Sequence, residues 1–100
     1  MKLIQQNIKP INALCQKHNV KELYAFGSVT RNDFTKKSDV DLLVEFKRMP
    51  VLDYADNYFD LILGLEKIFK RKVDLLTQKS LRNPVLISIL NATKQKVYEA

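Results

Sequence analysis

Phe26-Gly27-Ser28-Val29-Thr30-Arg31 and, after a short polar run, Ser38-Asp39-Val40-Asp41-Leu42-Leu43-Val44 decide how the rest of this chain is read. The first segment ends a mostly apolar stretch, Glu22 to Phe26, on one of only two glycines. It reads as a strand running into a tight turn, where glycine accepts backbone angles that other residues resist and lets another group approach the main chain. Ser28 adds a hydroxyl and an N–H, and successive N–H groups in such a turn can form an anion-binding concavity.

In the second segment an apolar run, Val40 to Phe46, fits a largely buried strand, and residues two apart on a strand point to one face. Asp39 and Asp41 are therefore expected side by side, their Cα atoms about 6.5 Å apart at a rise of about 3.3 Å per residue. Two carboxylates that close repel, and without a cation one would tend to hold a proton. A divalent metal resolves the conflict. Oxygen-only ligands select hard cations, and Mg²⁺ binds through a few carboxylates together with substrate phosphates.

Gly-Ser, the ten residues Val29 to Ser38 and then Asp-x-Asp resembles the signature of the minimal nucleotidyltransferases, small members of the DNA polymerase β-like superfamily. Phe26, Gly27, Ser28, Arg31, Ser38, Asp39, Asp41, Leu42 and Val44 carry the likeness. Thr30 and Asn32 depart from the commonest form, Gly-Ser-x-Ala-Arg-Gly; asparagine tolerates left-handed angles better than most residues, so Asn32 is compatible with the turn. The resemblance implies a third carboxylate on a later strand, and Asp74 in Lys72-Val73-Asp74-Leu75-Leu76-Thr77 is the candidate. It implies that Asp39, Asp41 and Asp74 are the catalytic and metal-binding set for two Mg²⁺ ions, with Asp74 activating an attacking hydroxyl. Gly27, Ser28, Arg31 and Ser38 are then the nucleotide-binding set, the planar fork of Arg31 suiting phosphate.

The implied reaction is transfer of AMP from ATP to a hydroxyl. Family members of this size resemble antitoxins paired with a HEPN-domain RNase toxin, which implies adenylylation of a tyrosine on such a partner. Two alternatives stay open: a non-catalytic module that neutralises its partner by masking it, and transfer to a small molecule, for which related enzymes use an added substrate domain.

The rest of the chain is consistent with an α+β fold, a small mixed sheet with helices packed on one face, expected as a single domain over residues 1–100. Ile4, Ile8, Ile11 and Cys15 recur at helical spacing over residues 3–18; Pro10 interrupts the stripe, so the helix either starts or restarts there, where a missing N–H costs little, or kinks, and Asn19 is the expected end. A second helix is expected from caps at Asp53 and Asp56 to about Phe69, with Gly64 explained by close helix–sheet contact. Lys70-Arg71-Lys72 would end it, where cations complement the helix dipole. Asn83-Pro84 is a cap and first turn for a last helix, with Val85, Leu86, Ile89 and Leu90 expected to be buried, and Lys96 to Glu99 reads as a short edge strand.

Composition narrows the partners. With 46% apolar and 28% charged residues the chain should bury a core. A single cysteine, Cys15, leaves no intramolecular disulfide and no zinc spacing. No stretch is apolar enough to span a membrane or serve as a signal sequence, which points to the cytoplasm. The net charge of +6 favours anionic ligands, but the lysines are dispersed and lack the aromatic platform of single-strand binders, so nucleic acid is unsupported by any motif.

Overall fold

The computed structural model describes residues 2–27, 38–77 and 80–100. Ser28, Thr30, Arg31 and Asn32, on which part of the sequence reading rests, lie outside the described residues. Helices α1 (Lys2–Gln6) and α2 (Ile8–Lys17) lead into strand β1 (Val20–Phe26); β2 (Val40–Phe46), α3 (Val51–Phe69), β3 (Val73–Thr77), α4 (Pro84–Thr93) and β4 (Gln95–Glu99) follow.

The four strands form one mixed sheet in the order β3-β2-β1-β4. β1 pairs antiparallel with both β2 and β4, whereas β2 and β3 are parallel. A parallel pair cannot be closed by a tight turn, and α3 supplies the crossover between β2 and β3. Alternation, interrupted by a register shift between Val20 and Glu22, divides the sheet's faces: Val20, Leu23 and Ala25 of β1, Val40, Leu42, Val44 and Phe46 of β2, and Val73 and Leu75 of β3 belong to one apolar cluster. Ile4, Ile11, Cys15, Leu61, Leu65 and Phe69 of the first three helices complete it. Fifteen buried residues in one cluster explain why a chain this short holds together.

Local departures from the sequence reading have physical causes. The first helical stretch breaks at Asn7 and restarts at Ile8, two residues before Pro10. Asn7 turns its side-chain amide back onto the Leu3 carbonyl at 2.8 Å, while Pro10 falls in the first turn of α2, where a missing N–H costs little. α3 starts at Val51 behind Pro50, with no side-chain cap, so Asp53 lies within its first turn and caps nothing. A Cβ on Gly64 would stand 2.7 Å from both methyls of Leu14, so this glycine serves the contact between α2 and α3 and not one between helix and sheet.

α3 ends where Lys70 takes a left-handed conformation (φ 56°) and its N–H returns to the Glu66 carbonyl. Asn83 caps α4 as expected, its Oδ1 accepting from the N–H groups of Val85 and Leu86. The expected burial of α4 does not hold: Val85, Leu86 and Ile89 are 67, 40 and 54% exposed, and Leu90 alone of the four is buried. Among the described residues no helix is long and apolar enough to cross a membrane.

Candidate active site

The second face of the sheet carries the candidate chemistry. Side chains of laterally paired residues share a face, and Phe26 pairs with Asp41 while Asp41 pairs with Asp74. Phe26, Asp41 and Asp74 thus form one row across β1, β2 and β3, at strand spacings of about 4.8 Å. Asp39 lies two residues before Asp41, exposed, at the mouth of β2. Asp41 is half-buried and Asp74 exposed.

Gly27 closes the row. Its φ of +70° belongs to the left-handed region, and a Cβ built there would lie 2.5 Å from Oδ2 of Asp41. Both the conformation and the close approach require glycine. The end of β1 and the start of β2 are therefore locked together at the carboxylate, which is where the sequence places its turn.

Four further contacts brace the segments that carry the carboxylates. Val40 N–H donates to the Lys72 carbonyl at 3.1 Å, setting β2 against the entry to β3. The Glu66 carboxylate accepts from Val73 N–H at 3.1 Å, so α3 holds the residue just before Asp74. The Tyr58 hydroxyl donates to the Leu75 carbonyl at 2.6 Å, holding the residue just after it. Burial raises the Tyr58 phenol pKa above its ordinary value, and the nearby Asp74 carboxylate raises it further. Arg71 reaches the Ser38 carbonyl at 3.4 Å, next to Asp39. None of Tyr58, Glu66 and Arg71 is visible as a site residue in the sequence, because each acts on a segment 7 to 33 residues away through the fold.

Of the sequence-predicted residues, Gly27, Asp41 and Asp74 are neighbours, and Ser38 and Asp39 adjoin them along the chain. As the side chains stand, among the described residues no three His, Cys, Asp or Glu groups converge tightly enough to hold an ion. The donor set, oxygen only and on neighbouring strands, suits a hard divalent ion.

The sequence matches the nucleotidyltransferase domain family over residues 8–97. The chain is a member of that family. A Methanocaldococcus jannaschii protein named as a candidate protein adenylyltransferase is 44% identical over 71 residues, covering 71% of this chain and 70% of that one. A solved structure described as a candidate minimal nucleotidyltransferase superposes with a TM-score of 0.73 at 28% identity, covering 94% of this chain and 92% of its own. The fold also recurs, with a TM-score of 0.64 at 19% identity over 97% of this chain and 73% of the other, in a complex of a tri-AMPylated Shewanella oneidensis HEPN toxin with its MNT antitoxin. The nucleotidyltransferase domain and the α+β fold expected from Gly27, Asp39, Asp41 and their neighbours are thereby established.

Proposed function

We propose that this nucleotidyltransferase moves AMP from ATP to a tyrosine hydroxyl of a HEPN-domain partner in the cytoplasm, and so acts as the antitoxin of a toxin–antitoxin pair. The observation that carries the reading is the row Phe26–Asp41–Asp74 ending at Gly27, whose missing side chain makes room for the Asp41 carboxylate. The relative named for protein adenylylation and the fold neighbour bound to an AMPylated HEPN toxin support the acceptor class.

Asp39, Asp41 and Asp74 would hold two Mg²⁺ ions, which when bound supply charge neutralisation at the attacking and leaving oxygens of an in-line displacement. Asp74 takes the proton of the attacking hydroxyl. The hydroxyl oxygen bonds to the α-phosphorus, the bond from that phosphorus to the bridging oxygen breaks, and pyrophosphate leaves. Gly27 and Ser28 seat the phosphates, with Arg31 and Ser38 as auxiliary contacts. Residues 1–100 act as one minimal catalytic domain.

The test is to incubate the chain with ATP, Mg²⁺ and the protein encoded beside it, and to weigh that protein. A gain of one or more AMP units, absent with Asp41→Asn, supports the proposal; no gain with the intact chain refutes it.

A further inference from the structure

We infer that the acceptor protein rests on the outer side of α4, which takes an apolar, uncharged patch of its surface from which the acceptor tyrosine projects. This rests on the proposed function and adds to it the surface that holds the substrate.

Topology puts α4 on the carboxylate side of the sheet. β3 and β4 run in the same direction at opposite edges, and α4 joins them. Crossovers between parallel strands are right-handed as a rule. α3 carries the chain outward from β2 to β3 and α4 carries it back the other way, and two crossovers of one hand and opposite direction lie on opposite faces. Burial agrees: among the described residues, Leu43 and Leu90 are the buried apolar side chains that stand outside the core cluster. Leu43, two residues after Asp41, points to the carboxylate face. The Lys94 ammonium, just past the end of α4, stands 4.2 Å from the centre of the Tyr24 ring. Tyr24, Leu43 and Leu76 pair in one row, which lies about 6.6 Å from the row Phe26–Asp41–Asp74 at two residues' rise.

α4 thus stands beside the carboxylates as a ridge about 10 Å high, the thickness of a helix with its side chains. Val85, Leu86 and Ile89 occupy one side of it and are exposed, while Leu90 on the other side is buried. From Pro84 to Thr93 the helix has no charged residue. Of the cations that follow it, Lys94 lies on the Tyr24 ring and Lys96 is paired with Glu22 and Glu99.

The neighbouring row identifies the occupant. Whatever covers α4 also overhangs Asp41 and Asp74, so it is the molecule whose hydroxyl reacts there. A second copy paired through α4 would close the carboxylates against itself and shut the acceptor out. An uncharged footprint offers nucleic acid no cations for its phosphates, and a small acceptor does not need a convex helix face. An apolar patch of a protein gains by excluding water from Val85, Leu86 and Ile89. Because the ridge holds that patch off the sheet, the reacting hydroxyl has to stand out from it, as that of tyrosine does and those of serine and threonine do not.

The full chain and the purified protein encoded beside it provide the test, by calorimetric binding without ATP and by the KM and kcat of AMP transfer. Val85→Ser/Ile89→Ser is expected to weaken binding at least tenfold and to raise KM for the protein acceptor by a like factor, with the loss in KM and not in kcat. Binding is nearly independent of salt, since the footprint holds no charge. Leu63→Ser, which removes an exposed apolar side chain from α3 on the far side of the sheet, binds and transfers as the intact chain does. All three proteins keep the same thermal melt, since the substituted side chains are exposed.

Intact affinity and KM in the α4 variant overturn the inference and leave the transferase reading standing. No binding by the intact chain, an equal loss in Leu63→Ser, self-association that depends on Val85 and Ile89, or AMP on a serine or threonine overturns it as well. Binding that depends on α4 without any AMP transfer supports the surface and removes the transferase reading, so the two failures are told apart.

Discussion

A Cβ on Gly27 would stand 2.5 Å from Oδ2 of Asp41, so the glycine's hydrogen and the carboxylate share a space that no other residue leaves open. Gly27→Ala must either push the carboxylate aside or distort the end of β1, and at φ +70° it also adopts a left-handed conformation costing about 1–2 kcal/mol. Displacing a reacting group by about 1 Å costs about 100-fold in rate. The expected outcome is a fall in AMP transfer of about that size with a folded protein, checked by pyrophosphate release and a thermal melt; transfer at the wild-type rate would show that the contact does not matter to the chemistry.

Asp74 is the carboxylate whose role depends on the parallel register of β2 and β3. Asp74→Asn keeps the shape but removes the charge and the proton acceptor. Transfer is expected to drop by at least about 100-fold, with the melting temperature unchanged or slightly higher because one repulsion between neighbouring anions is relieved. Single-turnover assays across Mg²⁺ concentrations check it. A loss recovered by excess Mg²⁺ assigns Asp74 to metal binding, and one that persists assigns it to the proton.

Gly64 meets the methyls of Leu14, the movable end of a side chain. In a helix interior alanine is better than glycine by about 1 kcal/mol, so Gly64→Ala trades that gain against displacing Leu14. In a Leu14→Ala background the clash is gone, and Gly64→Ala should stabilise by about 1 kcal/mol, more than it does in the intact chain. Urea melts of the four proteins of the double-mutant cycle measure the coupling; additive effects would mean that α2 and α3 do not compete for this space.

How much could be read beforehand follows from the range of each interaction. The turn at Gly27, the strand Val40 to Phe46 and the cap at Asn83 depend on neighbours within a few residues, and their sequence signals were sufficient. The approach of Asp74 to Asp41 depends on strand order and parallel register across a separation of 33 positions, and only the family resemblance suggested it. Tyr58, Glu66 and Arg71 carried no local mark of a role at the site. Val85, Leu86 and Ile89 were misplaced for a different reason: apolar periodicity says that a face is to be covered, not that the same chain covers it. Leu52, Phe59 and Leu63, exposed on the outer side of α3, were hidden likewise, because the buried side of Leu61, Leu65 and Phe69 already accounted for the helix.

Cys15 gives the alkaline limit of stability. It is fully buried, and burial pushes its thiol from 9.0 up to about 12. The folded state keeps the proton where the unfolded chain has lost it, so the contribution is complete below pH 9 and is lost as pH rises towards about 12. By proton linkage the loss is about 1.4 kcal/mol at pH 10. Tyr24 and Tyr58, whose phenols are also raised, add the same sign of slope from about pH 10 upward. Cys15→Ala leaves a cavity and lowers stability at pH 7 by about 1 kcal/mol, but it should flatten the decline between pH 8 and 10. Chemical denaturation at several pH values compares the two proteins; parallel declines would mean that the thiol ionises as readily in the folded chain as in the unfolded one.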